Sequence, residues 1–207
     1  MIPVELLSAF FAASILLGLA PGPDNIFVLT QSALHGKGAG FSVTLGLCTG
    51  LVVHTLAVAM GVAVIFQVSA TAFTALKLVG AAYLLYLAWQ AFRAAAPVSM
   101  ETGGALSRFK LYRRGILMNI TNPKVSIFFL AFLPQFADPD RGPVSVQILL
   151  LGALFIVATI LVFGSVALLA GTLGAWLNRS ANVQRALNRV AGAVFVGLAL
   201  TLAVSRR

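Results

Sequence analysis

Charge is what this sequence has least of. It holds 14 basic and 5 acidic side chains in 207 residues, and charged residues make up only 9% of it. A soluble domain carries about 25%, so the chain has too few polar groups to cover a globular surface in water. An ordinary soluble enzyme and a charge-rich disordered chain are both excluded. Cysteine is nearly absent as well, since Cys48 stands alone. That rules out an intramolecular disulfide framework, a dithiol relay and a cysteine-rich metal centre, all of which need two or more thiols at set spacing. Met1 to Ser14 has no basic stretch and no small-residue cleavage site, so it reads as an uncleaved first span. No Gly-x-Ser-x-Gly or His-Glu-x-x-His pattern occurs. Ser42, Ser126 and His54 alone do not make a nucleophile and its base, and the chain is expected not to be an enzyme.

What the sequence does have is apolar length. Hydrophobic residues make up 60% of it, enough for about six membrane-spanning helices at roughly 20 residues each. The expected fold is an all-α polytopic membrane protein. Helix 1 is predicted from about Leu6 to Gly36, interrupted at Pro21-Gly22-Pro23-Asp24-Asn25. Helix 2 follows from Phe41 to Phe66 and helix 3 from Ser69 to Phe92. Helix 4 runs from Gly115 to Phe136, interrupted at Asn122-Pro123-Lys124. Helix 5 covers Val146 to Trp176, and helix 6 covers Val190 to Val204. The chain is expected to be a single transmembrane unit, with one half at 1–92, a cytoplasmic loop at 93–114 and a second half at 115–207.

A net charge of +9 would point to nucleic acid in a soluble protein. Here it follows the rule that basic residues gather in cytoplasmic loops, and no nucleic-acid partner is expected. Lys37, Arg93, Arg108, Lys110, Arg113, Arg114, Arg179, Arg185 and Arg189 fall after helices 1, 3 and 5. Only Arg141, Arg206 and Arg207 lie on the opposite side. The odd-numbered loops are therefore placed in the cytoplasm and both termini outside it. Trp89 and Trp176 fall at cytoplasmic helix ends, where indoles favour the interface, and the segment from Arg108 to Arg114 is expected against lipid headgroups. Lys77, near the outer end of helix 3, is expected to snorkel.

The halves echo each other. Ala75 to Ala88 aligns without gaps on Ala186 to Ala199, with six identities in fourteen pairs. The two proline-broken helices occupy corresponding places in the halves. Three helices per half is an odd number, so the halves cross the membrane in opposite senses. That is the inverted-repeat plan of secondary transporters, in which paired broken helices mark the binding site.

The chemistry is expected at those breaks. Pro21 and Pro23 around Gly22, and Pro123 in helix 4, remove backbone donors and free carbonyls that cannot face lipid. Asp24 is the only acid between Glu5 and Glu101, and a carboxylate inside a membrane costs about 2.5–3.5 kcal/mol on insertion scales. At helical rise Asp24 lies roughly 18 Å from Gly36, and Lys124 roughly 14 Å from Gly115, so acid and base reach matching depth. They are expected to pair. A zwitterion suits such a pair: its ammonium would replace Lys124 on Asp24, and its carboxylate would accept from Lys124, Asn122 or free amides of a half-helix. Asn25, Asn119 and Asn122 add uncharged donors and acceptors. Gly46-Leu47-Cys48-Thr49-Gly50 is a small-xxx-small motif for close helix contact, and it turns His54 into the bundle. There His54 is either a proton carrier or a neutral ring bonded to a facing carbonyl. Thr30, Gln31 and Gln135 are candidates to line the path. One intramembrane acid, one lysine and one cysteine make a poor cage for a cation, so a cation or metal exporter is the alternative and no metal or cofactor is expected.

PGPDN in helix 1, GLCTGLVVH in helix 2, LKLVGAAYLLYLAWQAFRAA in helix 3 and MNITNPKVSIFFLAFLPQF in helix 4 resemble the LysE/RhtB family of amino-acid exporters. The resemblance covers essentially the whole chain. It implies proton-driven export of small amino acids or their derivatives, an inner-membrane location and a capacity to form homodimers. The family's proline break falls on Pro21 and Pro23, and its NPK element on Asn122, Pro123 and Lys124.

Overall fold

The computed structural model describes residues 2–68, 70–93, 106–179 and 181–204. Most of the loop at 93–114, with Arg206 and Arg207, lies outside those residues, as do the side chains of Trp176 and Arg179. Lipid offers the backbone no hydrogen bonds, so apolar runs must satisfy themselves internally as helices. The described elements are α1 (Val4–Leu19), α2 (Pro23–His35), α3 (Lys37–Val68), α4 (Ala70–Arg93), α5 (Arg108–Thr121), α6 (Pro123–Ile127), α7 (Val144–Arg179) and α8 (Ala181–Val204). Four helices are long and apolar enough to cross a bilayer, and six spans result if each of two bent pairs counts as one. The bent pairs are α1 with α2, at 63°, and α5 with the run from Pro123 to Phe136, at 52°.

Both bends fall at the prolines that predict them, but several boundaries differ. The fourth span begins at Arg108 and not at Gly115, because Ser107 caps it by accepting a hydrogen bond from Lys110 N–H. The basic segment placed in a loop is therefore the first two turns of a helix. Helix 2 starts at Lys37, straight after Gly36, whose φ of 82° needs a residue without a side chain. Helix 6 starts at Ala181, well before Val190. Beyond α6 the helix loosens into a π turn over Phe128–Phe132 and tightens into a 3₁₀ turn over Leu133–Phe136. Pro134 lacks the N–H that regular winding would use, a distortion the sequence reading did not include.

Helices of equal rank in the two halves pack together, α3 on α7 and α4 on α8. In lipid no hydrophobic force drives this, so close van der Waals fit must. Small residues supply it where α3 meets α5. A Cβ on Gly46 would strike Tyr112 O, and one on Gly115 would strike Val43 O. One turn on, a Cβ on Gly50 would come within 2.7 Å of Asn119 Oδ1. The close approach thus presses the end of α5 against the helix that bears His54. On the other side Phe10 of α1 packs on Phe128 and Phe136, with centroids 6.0 and 5.1 Å away, and Phe155 of α7 packs on Phe128 and Phe129. These aromatics fix α1 and the second half of the fourth span relative to each other, and so fix the two breaks.

Candidate functional site

A proline at position i leaves the carbonyl at i−4 without its helical donor. Pro21 therefore orphans Leu17 O, and Pro123 orphans Asn119 O. The structure gives each of them a donor from the opposite half of the chain. Lys124 Nζ donates to Leu17 O at 3.3 Å and to Ala20 O at 3.1 Å. His54 Nε2 lies 3.3 Å from Asn119 O, and since a carbonyl only accepts, this nitrogen carries the hydrogen. Asn119 O also accepts from Asn122 N–H at 3.1 Å. Gly18 O, next in line at the end of α1, accepts from Asn25 Nδ2 at 2.6 Å. Side chains thus reach the freed carbonyls at each break.

The two breaks are tied by side chains as well. Asn122 Nδ2 donates to Asp24 Oδ2 at 2.8 Å, while Asn122 Oδ1 accepts from Lys124 N–H at 3.0 Å and caps α6. Asp24 stands at the second position of α2, whose capping residue is Gly22 and whose N-terminus has no side-chain cap. A negative group there meets the positive end of the helix dipole. Asp24, Asn119, Asn122 and Lys124 are all buried. Lys124 lies over Gly22, where a Cβ would be 3.2 Å from Nζ. Asp24 and Lys124 interact through space as opposite charges but are not within ion-pair distance. In place of the direct pair expected from the sequence, Asn122 links Asp24 to the backbone N–H of Lys124, while the ammonium is drawn to the negative end of α1.

Some buried acceptors have no donor from the protein. Among the described residues these are Asp24 Oδ1, Asn25 Oδ1, Gln31 Oε1 and Asn119 Oδ1, together with His35 Nε2. Asp24, Asn25 and Asn119 belong to the breaks or lie one turn from them. Asp24, Gln31 and His35, seven and eleven residues apart, share one face of α2. A buried acceptor left unmatched costs about 1–3 kcal/mol, so these atoms are the candidates for contact with a donor-bearing molecule.

The candidates fall into two groups. Asp24, Asn25, Asn119, Asn122 and Lys124 come together with the backbone at Pro21, Gly22, Pro23 and Pro123. His54 joins them through Asn119 O and lies against Phe129, with centroids 5.6 Å apart. His54 thus bonds a facing carbonyl. Thr30 and Gln31 are buried on α2, whereas Gln135 donates to Ala131 O in the distorted end of the fourth span. Lys77 is half-buried on α4. Sequence reasoning missed the carbonyls of Leu17, Gly18 and Ala20, although the i−4 rule applied to Pro21 points to the first. It also missed Arg114, whose guanidinium sits 4.6 Å over the ring of Phe27 on α2. That arginine braces the lower half of the broken span as well as carrying charge.

A model of the family described as LysE type translocator matches residues 15–206. The chain belongs to that family. The match includes both breaks, so the braced prolines lie within the region common to these translocators. The homoserine/homoserine lactone efflux protein of Salmonella typhi is 38% identical to this LysE-type translocator over 200 residues, 96% of either chain. The protein of the same name in Salmonella typhimurium is 37% identical over 199 residues, with equal coverage. The leucine efflux protein of Enterobacter sp. (strain 638) is 28% identical over 198 residues, 89% of either chain. No solved structure matches the chain.

Proposed function

We propose that this LysE-type translocator exports small amino acids or their derivatives across the inner membrane, in exchange for protons. The observation that carries this reading is the half-satisfied carboxylate of Asp24. It is buried between two broken helices, with Oδ2 held by Asn122 and Oδ1 without a protein donor. A primary ammonium is the donor that fits such an oxygen, and the relatives named for homoserine and leucine efflux handle molecules that carry one.

The exchange follows from charge. A carboxylate within the membrane is costly unless it is neutralised or paired. Asp24 meets that demand with the substrate's ammonium on the way out and with a proton on the way back. It cannot hold both at one oxygen, so the two alternate and antiport results. Asn122 and Lys124 keep the unloaded carboxylate tolerable between turns, and Asn25 and Asn119 offer neutral acceptors beside it. The functional unit is the whole chain, with halves 1–92 and 115–207 related by an inverted repeat. The packing of α3 on α7 and α4 on α8 supports that relation, and the odd-numbered loops face the cytoplasm. Alternating access is then a rocking of the halves about the braced breaks.

Proteoliposomes loaded with labelled homoserine or leucine test the reading. Efflux should accelerate when a pH gradient, acid outside the exported face, is imposed. Wild-type rates in both Asp24→Asn and Lys124→Ala would remove the site from the mechanism.

A further inference from the structure

Five acids face 14 basic side chains in the whole chain, and none of the described acids stands where α5 begins. Glu5 opens α1, and Asp138 and Asp140 follow the fourth span, so all three sit at the ends of the broken spans far from Arg108. Asp24 lies at the break, held by Asn122. Lys110, Arg113 and Arg114 are exposed in the first two turns of α5, and none has an ion pair among the described residues. Two of them rest on aromatic rings instead, Arg113 at 5.9 Å from the ring centre of Phe109 and Arg114 at 4.6 Å from that of Phe27. A guanidinium stacked on a ring uses its flat face there and keeps its N–H edge for an anion.

The winding of α5 sorts its residues by side. Arg108 turns to α3, where a Cβ on Gly38 would be 3.0 Å from its Nη2, and Tyr112 and Gly115 meet α3 along the same side. At 3.6 residues per turn, Lys110, Arg113 and Arg114 fall within about 100° of one another on the opposite side. That side stays exposed further along the helix but becomes apolar, with Leu117 61% and Ile120 37% exposed. Three positive charges within about 6 Å of helix, then an exposed apolar stretch, match a headgroup layer over its acyl chains. A soluble phosphate or a nucleic acid would meet the charges and leave the apolar stretch bare.

We propose that Lys110, Arg113 and Arg114 dock the phosphate of an anionic phospholipid whose chains lie along Leu117 and Ile120, and that this lipid steadies α2 through Phe27. Phe27 stands three residues past Asp24 on α2. The Arg114 side chain therefore joins the lipid to the helix that carries the buried carboxylate. A zwitterionic lipid offers the same phosphate with a cation beside it, and a basic cluster attracts it less. Lipid docking needs no substrate, so it stands apart from the export reading.

The purified full-length protein in detergent is mixed with phosphatidylglycerol and phosphatidylcholine, and bound lipids are counted by native mass spectrometry. Phosphatidylglycerol should be retained over phosphatidylcholine, and inorganic phosphate should not displace it. Lys110→Gln and Arg113→Gln should each weaken its binding about fivefold, the effect of one basic residue at an anionic surface. Amide hydrogen exchange in nanodiscs then reads α2. Phosphatidylglycerol added to a phosphatidylcholine bilayer should slow exchange along α2 in the wild type. Phe27→Leu should keep the lipid and lose the slowing. Equal retention of the two lipids, displacement by inorganic phosphate, or wild-type retention in both Gln variants overturns the lipid site. Retention without slowing, or slowing that survives in Phe27→Leu, overturns the link to the broken span.

Discussion

Lys124 donates to Leu17 O, the carbonyl that Pro21 strips of its helical partner, from a position 107 residues away in sequence. His54 does the same for Asn119 O at the second break, across 65 residues. Each half of the chain thus repairs the break in the other. The consequence is mechanical as well as chemical: neither span can straighten or bend further without releasing a side chain that belongs to the opposite half.

Asn122 carries the heaviest share of this bracing, holding Asp24 with its nitrogen and capping α6 with its oxygen. Asn122→Ala should destabilise the protein by about 2–4 kcal/mol, from a lost bond to a charged group and a lost cap. Asn122→Ser keeps a capping oxygen and should recover about 1 kcal/mol of that. Thermal unfolding in detergent reads both, and an Asn122→Ala protein as stable as wild type would refute the brace.

Asp24 and Lys124 are buried opposite charges that act on each other through space, so their substitutions should not add. Asp24→Asn strands a buried ammonium, and Lys124→Met strands a buried carboxylate and two carbonyls. The double variant, neutral throughout, should be more stable than the sum of the singles predicts by about 0.5–3 kcal/mol. A complete double-mutant cycle from denaturant or thermal melts measures this. Strict additivity would mean that the two charges do not sense each other.

The backbone of α3 lies directly on that of α5, with Gly46 under Tyr112 O. Gly46→Val should cost about 1–3 kcal/mol or more by overpacking and lower the yield of monodisperse protein in size-exclusion chromatography. Gly197 has nothing within 4 Å of a built Cβ, and Gly197→Ala should leave yield and melting temperature unchanged or slightly improved. Equal behaviour of the two variants would contradict this packing.

His54 bonds a carbonyl and lies against Phe129, the contacts of a brace. His54→Gln, which keeps a donor, should retain efflux driven by a pH gradient within about threefold of wild type. Asp24→Asn should abolish that drive. If His54→Gln transports its substrate but no longer responds to the gradient, the coupling proton belongs on His54.

How far the sequence reached differs between fold and site. Composition alone demanded membrane helices, because 9% charge cannot solvate a surface. Proline positions located both bends, because the missing donor is a property of the residue wherever it lies. The helix start at Arg108 was not legible, since its charges read as a loop until Ser107 was seen capping them. The loosening at Phe128–Phe132 was not legible either, because apolar periodicity carries no trace of π winding. Asp24 and Lys124 were singled out by burial cost and matching depth, and Asn122 as an uncharged partner at the second break. Their wiring was not, since depth along an axis says nothing about which side chain turns toward which carbonyl.

The sequence by itself determined that membrane-spanning helices form, where two spans break and which charges must be hidden with them. Those are local consequences of residue chemistry in a solvent that offers no hydrogen bonds. Only the tertiary structure decided that Lys124 serves the end of α1 while Asn122 takes Asp24. Those outcomes depend on how α3, α5 and the aromatic cluster around Phe10 set two distant breaks against each other. A choice among competing partners is settled by three-dimensional proximity, which residue types and spacing do not encode.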